Sequence, residues 1–172
     1  MVLTQLKKIK YIFLDVDGVL TDGRVLVNEE GEQWRTFSVK DGYAIQYAIK
    51  QGLRVIIITG ARSLGVQKRF EGLGVQDIFL NISDKITLME QLCEQYGFDY
   101  TECLFIGDDI PDLECMRKVG VAICPADAAE EIKKISHYVS TRVGGNGIVR
   151  ETLEKVLKLQ DKWHNDSQTK SV

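Results

Sequence analysis

Two aspartates separated by one residue, Asp15 and Asp17, directly follow the apolar run Tyr11–Leu14. Carboxylates this close together cannot both stay in an apolar core, because an ionised carboxylate is costly to bury without a partner. They must therefore lie where a buried strand reaches the edge of a sheet, facing solvent, a metal or a ligand. In open parallel sheets, ligands bind at that edge.

Further polar side chains follow three other predicted strands, and parallel strands would bring all of them to the same edge. They are Thr59, Gly60, Lys85, Asp108, Asp109 and Asp112. Carboxylates at this density repel one another unless a cation lies among them, and hard oxygen ligands select Mg²⁺, which also binds substrate phosphate. Thr59 and Gly60 offer a hydroxyl and backbone N–H groups, and Lys85 offers a mobile positive charge. These are the groups that bind a phosphoryl group, so the set predicts metal-assisted phosphoryl transfer.

The rest of the chain alternates strand and helix patterns, which predicts an α/β fold: a doubly wound (Rossmann-like) parallel sheet with helices on both faces. Residues 23–37 predict a β-hairpin inserted after the first strand, and the segments between motifs leave no room for a cap domain. A Gly-rich loop and a last helix are predicted over residues 140–163. Strands are predicted at residues 11–14, 53–58, 76–80, 103–106 and 121–124, and the other helices at residues 43–51, 63–73, 84–96, 111–119 and 128–135.

The bulk composition limits the possible functions. With 172 residues, 44% of them hydrophobic and 27% charged, the chain is expected to form one globular domain over residues 1–172. A net charge of −3 argues against nucleic-acid binding, which requires a basic patch. No stretch approaches the roughly 20 apolar residues of a membrane span. We therefore predict a cytoplasmic protein without nucleic-acid or membrane partners, in which a local cluster of positive charge holds any anionic substrate.

The motifs resemble those of the haloacid dehalogenase-like phosphohydrolases in type and in order. They read Asp15-Val16-Asp17-Gly18-Val19, Thr59-Gly60, Lys85 and Gly107-Asp108-Asp109-x-x-Asp112. The resemblance implies that Asp15 is the nucleophile that forms an aspartyl-phosphate and that Asp17 is the general acid/base. Thr59 and Lys85 would orient and neutralise the phosphoryl group.

The same resemblance implies how Mg²⁺ is held. Asp15, the backbone carbonyl of Asp17, and Asp108 would be its ligands, with Asp109 or Asp112 in or just outside the metal shell. An alternative of another class is a non-catalytic phosphate-binding regulatory module, since receiver domains also use acids, a threonine and a lysine at strand ends. Such a module would leave Asp17 without a role.

A narrower resemblance covers nearly the whole chain. The order of five features resembles that of the capless 3-deoxy-D-manno-octulosonate 8-phosphate (KDO 8-phosphate) phosphatases. These features are the first motif, the hairpin, Phe37-x-x-Lys40-Asp41-Gly42, Thr59-Gly60 and Gly144-Gly145-x-Gly147-x-x-Arg150-Glu151. That family serves lipopolysaccharide precursor synthesis and forms tetramers in which the hairpins associate and the Gly-rich tail can close over a neighbour's site. The resemblance therefore implies a small anionic sugar-phosphate substrate and a homotetramer whose sites are completed by a neighbouring subunit.

Substrate contacts also follow from this resemblance. By position they are Asp17, Ser38, Val39, Lys40, Asp41, Gly42, Thr59, Gly60, Arg69 and Lys85. Gln46 and Ala61 stand where the family commonly has arginine, so two positive side chains are missing near an acidic sugar phosphate. A nonulosonate 9-phosphate, either sialic acid-like or KDN 9-phosphate, is therefore the alternative substrate. Trp34 of the hairpin is expected either to contact another subunit or to belong to the hairpin's own core.

Overall fold

The computed structural model describes residues 2–163, in which helices and strands alternate for most of the chain. The helices are α1 (Val2–Leu6), α2 (Val39–Lys50), α3 (Leu64–Gly72), α4 (Lys85–Tyr96), α5 (Leu113–Lys118), α6 (Glu130–Ile135) and α7 (Ile148–Leu159). The strands are β1 (Tyr11–Leu14), β2 (Leu26–Val27), β3 (Gln33–Trp34), β4 (Arg54–Ile58), β5 (Asp77–Phe79), β6 (Cys103–Ile106), β7 (Val121–Cys124) and β8 (Tyr138–Val139). Two short 3₁₀ turns precede β6 and α5, at Tyr100–Glu102 and Ile110–Asp112.

The main sheet of the described residues has six parallel strands in the order β5-β4-β1-β6-β7-β8. β1 lies inside the sheet and pairs with β4 on one side and with β6 on the other. The chain fills the β4 side first and then crosses over to β6, so the strand order reverses next to β1. Ligands of open α/β sheets bind at such a switch point, beyond the carboxyl ends of the strands. The predicted doubly wound α/β fold is confirmed.

Both faces of the sheet are covered by helices, as a parallel sheet requires. Along β1, the side chains of Ile12 and Leu14 enter one apolar core and Phe13 enters the other, because successive strand residues point to opposite faces. Helices α1, α2, α3 and α7 contribute to the first core. Helices α4, α5 and α6 contribute to the second. The sheet is thus a rigid platform from which the loops after β1, β4 and β6 project.

The predicted hairpin is present as β2 and β3, which pair antiparallel with Leu26 opposite Trp34. Its apolar side chains are not covered by this chain, since Leu26 is 64% exposed and Trp34 is 56% exposed. Of the two expectations for Trp34, a place in a buried hairpin core is therefore wrong for this chain. Within the described residues, only the hairpin and α2 lie between β1 and β4, and only α3 and β5 lie between β4 and α4, so a cap domain is absent there.

Several boundaries differ from the prediction for identifiable reasons. Helix α2 was predicted over residues 43–51 but begins at Val39, because Ser38 caps it by accepting the N–H of Asp41 at 3.3 Å. The last helix was predicted to reach about residue 163 but ends at Leu159. The chain then turns back, and the ring of Trp163 packs 4.8 Å from that of Tyr47. Strand β8 and helix α1 were not predicted.

Two of the predictions concern the whole chain: the absence of a membrane span and the single domain. Among residues 2–163, no helix combines the length and the apolar character needed to cross a membrane. The prediction of a single domain over residues 1–172 includes Met1 and residues 164–172, which lie outside the described residues. It stays a prediction.

Candidate active site

A cavity of about 530 Å³ opens beyond the carboxyl ends of β1, β4 and β6, at the switch point of the sheet. It brings together the predicted catalytic and metal-binding residues from four separate segments of the chain. Its lining consists of Asp15, Asp17, Gly23, Thr59, Gly60, Ala61, Ile82, Ser83, Lys85, Asp108, Asp109, Pro111 and Asp112. The shared sheet edge is the reason that residues up to 97 positions apart meet here.

At the centre of the cavity, the ammonium group of Lys85 bridges two carboxylates. Its Nζ lies 2.6 Å from Oδ1 of Asp15 and 2.7 Å from Oδ1 of Asp112, and all three side chains are buried. Lys85 is the first residue of α4, which Asp84 caps by accepting the N–H of Thr87 at 3.1 Å. Because buried charges are tolerated only when they are paired, this arrangement holds Lys85 and Asp15 at the floor of the site.

A carboxylate cluster adjoins this ion pair. Asp15, Asp108 and Asp112 each offer one oxygen, and these oxygens lie within 4.8 Å of one another. Burial raises the pKa of Asp15 to about 7, with the negative charge of Asp112 adding to the effect. Burial also raises the pKa of Asp108 to about 8, with the charges of Asp15 and Asp112 contributing. Hard oxygen donors that crowd negative charge in this way fit a Mg²⁺ ion, which the cluster could bind.

Lys85 keeps its charge in this environment. Burial by itself would lower the pKa of Lys85, but the adjacent carboxylates of Asp15 and Asp112 outweigh it, and the pKa is raised. A permanently charged ammonium beside the predicted nucleophile is the group needed to offset the negative charge of a phosphate. Its position therefore suits phosphate binding.

The loop after β1 is packed tightly against two other segments. Gly18 has a φ of 86°, and a Cβ at this position would collide with the carboxylate of Asp108. Gly144 of the Gly-rich loop lies directly over the carbonyl of Gly18 and leaves no room for a side chain. The N–H of Gly145 donates to the carbonyl of Val19 at 2.9 Å. The Gly-rich loop thus packs against the loop after β1 of its own chain and holds it in place.

Thr59 and Gly60 follow β4 at the cavity wall. The hydroxyl of Thr59 is buried and its Oγ1 accepts the N–H of Ala61 at 3.1 Å. The backbone of Thr59 is also fixed, since its N–H donates to the carbonyl of Phe79 at 3.0 Å. Because the hydroxyl oxygen acts as an acceptor in the bond from Ala61, its hydrogen can donate to a ligand such as a phosphoryl oxygen.

Asp17 is held by Arg35, which was not among the predicted site residues. Nε and Nη2 of Arg35 lie 2.7 Å from Oδ1 and 3.0 Å from Oδ2 of Asp17, a bidentate ion pair. Arg35 directly follows β3, so the hairpin delivers it to the site. No local pattern could have identified it, since its partner lies 18 residues earlier and the hairpin's return to the loop is a tertiary feature.

The acids after β6 occupy different environments. Asp112 is buried, and its Oδ2 accepts the N–H of Asp108 at 3.1 Å, which ties the two acids together. Asp109 is exposed, and its Oδ1 accepts the N–H of Ile110 at 2.8 Å. Asp112 is therefore itself a member of the acid cluster, whereas the exposed Asp109 lies at the rim of the cavity.

The other predicted substrate contacts do not line this cavity. Ser38 and Lys40 line a second cavity of about 360 Å³, together with Arg142 of the Gly-rich loop and residues of α7. Val39 is exposed, and buried Asp41 accepts the backbone N–H of Arg150 at 2.6 Å.

Arg69 is also outside the candidate catalytic cavity, which is the cavity of about 530 Å³ that Asp15 and Lys85 line. Its guanidinium lies against Gly42, where a Cβ would come within 2.5 Å of Nη2. Residues 38–42 and Arg69 thus cluster on the amino-terminal side of α2, apart from the predicted catalytic acids of the same chain.

Comparison with known proteins identifies relatives that cover almost the whole chain. Residues 74–151 match the sequence model of haloacid dehalogenase-like hydrolases. The chain is 35% identical over 161 residues to the 3-deoxy-D-manno-octulosonate 8-phosphate phosphatase of Salmonella typhi, covering 94% of this chain and 86% of that protein.

Solved structures agree with the sequence comparison. The crystal structure of 3-deoxy-D-manno-octulosonate 8-phosphate phosphatase from Yersinia pestis superposes with a TM-score of 0.91 at 34% identity, covering 94% of this chain and 87% of that one. The phosphatase of the same name from Moraxella catarrhalis, in complex with magnesium ion, phosphate ion and a KDO molecule, superposes with a TM-score of 0.90. It is 38% identical, with 93% of this chain and 92% of that one covered.

Proposed function

The chain belongs to the haloacid dehalogenase-like hydrolases, in the family of the 3-deoxy-D-manno-octulosonate 8-phosphate phosphatases, and from that premise we propose that its substrate is KDO 8-phosphate. It is a sugar-phosphate phosphatase. The observation that carries the proposed phosphatase chemistry is the buried Asp15–Lys85 ion pair. This pair lies in one cavity with Asp17 and the acids after β6. The related phosphatase that holds magnesium, phosphate and KDO supports the choice of sugar.

In the proposed reaction, Asp15 is the nucleophile and Asp17 is the general acid and base. A carboxylate oxygen of Asp15 attacks phosphorus, the bond from phosphorus to the sugar oxygen breaks, and Asp17 gives that oxygen a proton. A water molecule then attacks the aspartyl-phosphate and loses its proton to Asp17. The bond between phosphorus and Asp15 breaks, and inorganic phosphate is released. Lys85 and the hydroxyl of Thr59 hold the phosphoryl oxygens through both steps.

The metal ligands proposed are Asp15, the backbone carbonyl of Asp17, and Asp108, with Asp109 or Asp112 in or just outside the shell. The close oxygens of Asp15, Asp108 and Asp112 support this assignment. When bound, Mg²⁺ supplies Lewis acidity that draws negative charge from the phosphate oxygens.

Sugar selection is proposed to involve a neighbouring subunit of a homotetramer. Among the described residues that line the catalytic cavity, Lys85 is the only positively charged one, and two carboxylates already pair with it. A carboxylate-bearing sugar needs another positive partner. The cluster of residues 38–42 and Arg69 lies outside the catalytic cavity of its own chain, which is compatible with service to a neighbour's site. The exposed apolar residues Leu26 and Trp34 support association through the hairpins.

A nonulosonate 9-phosphate is the second candidate substrate. Ala61 lines the catalytic cavity and half-buried Gln46 lies in α2, so neither position supplies the arginine common in the family. The overall likeness to the KDO 8-phosphate phosphatases favours the shorter sugar. We further propose that the enzyme works in the cytoplasm, in the synthesis of lipopolysaccharide precursors.

A side-by-side assay of the two sugar phosphates with Mg²⁺ tests this proposal. We expect a higher kcat/KM for KDO 8-phosphate, and a higher value for a nonulosonate 9-phosphate would contradict the assignment. Replacing Ala61 by Arg should raise kcat/KM for KDO 8-phosphate by about 10-fold if a missing cation limits binding of the acid sugar. Phosphate binding without turnover of any sugar phosphate would instead indicate a regulatory module.

A further inference from the structure

Arg35 is an unusually placed arginine. Its side chain is only 5% exposed, although it belongs to a hairpin whose apolar residues are open to solvent. Its Nε and Nη2 bind the carboxylate of Asp17, and its Nη1 is buried without a hydrogen-bond acceptor among the described residues. Burying a guanidinium with one nitrogen unsatisfied is unfavourable. The burial of Arg35 at this cost indicates that its side chain has a role other than packing.

The partner of Arg35 is the residue whose orientation matters most to the proton transfers. Asp17 lies in the loop after β1 and keeps 34% of its side chain exposed, so packing alone does not fix its carboxylate. A bidentate pair with a planar guanidinium fixes both the position and the plane of a carboxylate. Arg35 itself does not line the catalytic cavity, whereas Asp17 does. Any effect of Arg35 on the reaction must therefore act through Asp17.

We propose that Arg35 is a positioning residue, which holds the carboxylate of Asp17 in the orientation needed for its proton transfers and so makes catalysis depend on the hairpin. The inference rests on the proposed role of Asp17 as general acid/base. Since acid–base groups act only from within hydrogen-bond reach of the proton they move, loss of the clamp should slow the chemical step rather than weaken substrate binding.

p-Nitrophenyl phosphate is a suitable probe because its leaving group departs without a proton. Formation of the aspartyl-phosphate then does not need Asp17, but its hydrolysis does, because the attacking water must lose a proton to Asp17. For Arg35→Met we expect kcat to fall by about 10- to 100-fold and acid-stable phosphoenzyme to accumulate. Because only the second step slows, KM should fall together with kcat, and kcat/KM should change by less than about 3-fold. Arg35→Lys, which keeps one charged donor, should recover part of the rate.

Arg24→Met is the matched control, since Arg24 is an exposed arginine of the same loop and hairpin region. It should behave like the wild-type enzyme. Circular dichroism melting of each variant separates misfolding from a catalytic effect. Should Arg35→Met not fold, the comparison of Arg35→Lys with wild type carries the test, with an expected loss in kcat of about 3- to 10-fold at unchanged kcat/KM.

A double-mutant cycle decides whether Arg35 acts through Asp17. In an Asp17→Asn background, replacing Arg35 should cost little further activity, because the group it positions is gone. Full additivity of the two effects would overturn the inference, as would wild-type kcat in both Arg35→Met and Arg35→Lys while Asp17→Asn is impaired.

Results that contradict the proposed function can be distinguished from results that contradict only the role of Arg35. Wild-type kcat in Asp17→Asn would remove the acid–base role itself and, with it, the inference about Arg35. A wrong sugar assignment would leave every assay with p-nitrophenyl phosphate unaffected.

Discussion

The Nζ of Lys85 lies 2.6 Å from Oδ1 of Asp15, so the proposed nucleophile and the cation that would receive the phosphate are in direct contact. The same ammonium lies 2.7 Å from Oδ1 of Asp112. One lysine thus neutralises part of a cluster in which three carboxylates crowd together. Its charge serves both the folded state and the proposed chemistry, and the two contributions can be measured separately.

Replacing Lys85 by Met should remove activity and also lower stability. Without the ammonium, Asp15 and Asp112 lose their buried partner, and breaking a buried pair costs about 3–5 kcal/mol. Protonation of an acid, or bound Mg²⁺, would reduce that cost. Urea unfolding measures the free energy of unfolding, and Lys68→Met, at an exposed lysine of α3, is the control. Wild-type turnover by Lys85→Met would contradict the proposed role of Lys85.

The crowded acids predict an unusual dependence of stability on pH. The pKa values of Asp15 and Asp108 are raised in the folded protein to about 7 and about 8, from an ordinary value of 3.8. Between these limits the folded state binds more protons than the unfolded state. The free energy of unfolding of the metal-free protein should therefore fall as pH rises from about 4 to about 8.

This pH dependence has a matched control and a metal counterpart. Asp108→Asn should flatten the decline, because it removes one of the two shifted groups. Protons compete with the metal for the same carboxylates, so Mg²⁺ should raise the melting temperature more at pH 8 than at pH 6. An equal shift at both pH values would indicate that the acid cluster is not the metal site.

The contact between Gly144 and Gly18 predicts a position that tolerates no side chain. A Cβ at Gly144 would collide with the carbonyl of Gly18, so Gly144→Ala should destabilise the fold by about 1–3 kcal/mol. It should also reduce kcat by displacing the loop after β1, which carries the proposed nucleophile Asp15. Gly72→Ala is the control, because a Cβ there meets open space within α3. It should be neutral or stabilising by up to about 1 kcal/mol. Equal effects of the two changes would contradict the tight packing.

The exposed hairpin predicts an assembly that can be disrupted without unfolding the chain. If hairpins associate in a homotetramer, Leu26→Ser combined with Trp34→Ser should reduce the mass measured by light scattering from four chains to fewer. Leu64→Ser is the control, since Leu64 is 63% exposed but belongs to α3 and not to the hairpin. A wild-type protein that runs as a single chain would contradict both the assembly and the sharing of sites.

Much of this fold could be predicted because its strands are apolar runs that end in polar residues. Parallel strands bring their carboxyl ends to one edge, which is why Asp15, Thr59 and Lys85 could be expected to meet. Local chemistry also located most helix starts, as with Ser63, which accepts the N–H of Val66 to cap α3. These features depend on short stretches of sequence and on one general property of α/β sheets.

What could not be predicted depends on contacts between distant segments. Arg35 reaches Asp17 only because the hairpin folds back over the loop after β1, which no local pattern encodes. Strand β8 has two residues, too few for a periodic signal, and exists through its pairing with β7. The first turn of α2 is mostly polar or exposed, so its apolar stripe suggested a later start. The placement of residues 38–42 away from the catalytic cavity is likewise a tertiary property.

The central claim is that phosphate is transferred to Asp15, and trapping the intermediate tests it most directly. Wild-type enzyme is mixed with substrate and Mg²⁺, quenched in acid and reduced with borohydride, which marks an acyl phosphate at its site of attachment. Peptide mass mapping should then find the modification in the peptide that contains Asp15, and Asp15→Asn should abolish both the modification and phosphate release. A modification at another residue, or phosphate release by Asp15→Asn at the wild-type rate, would contradict the account.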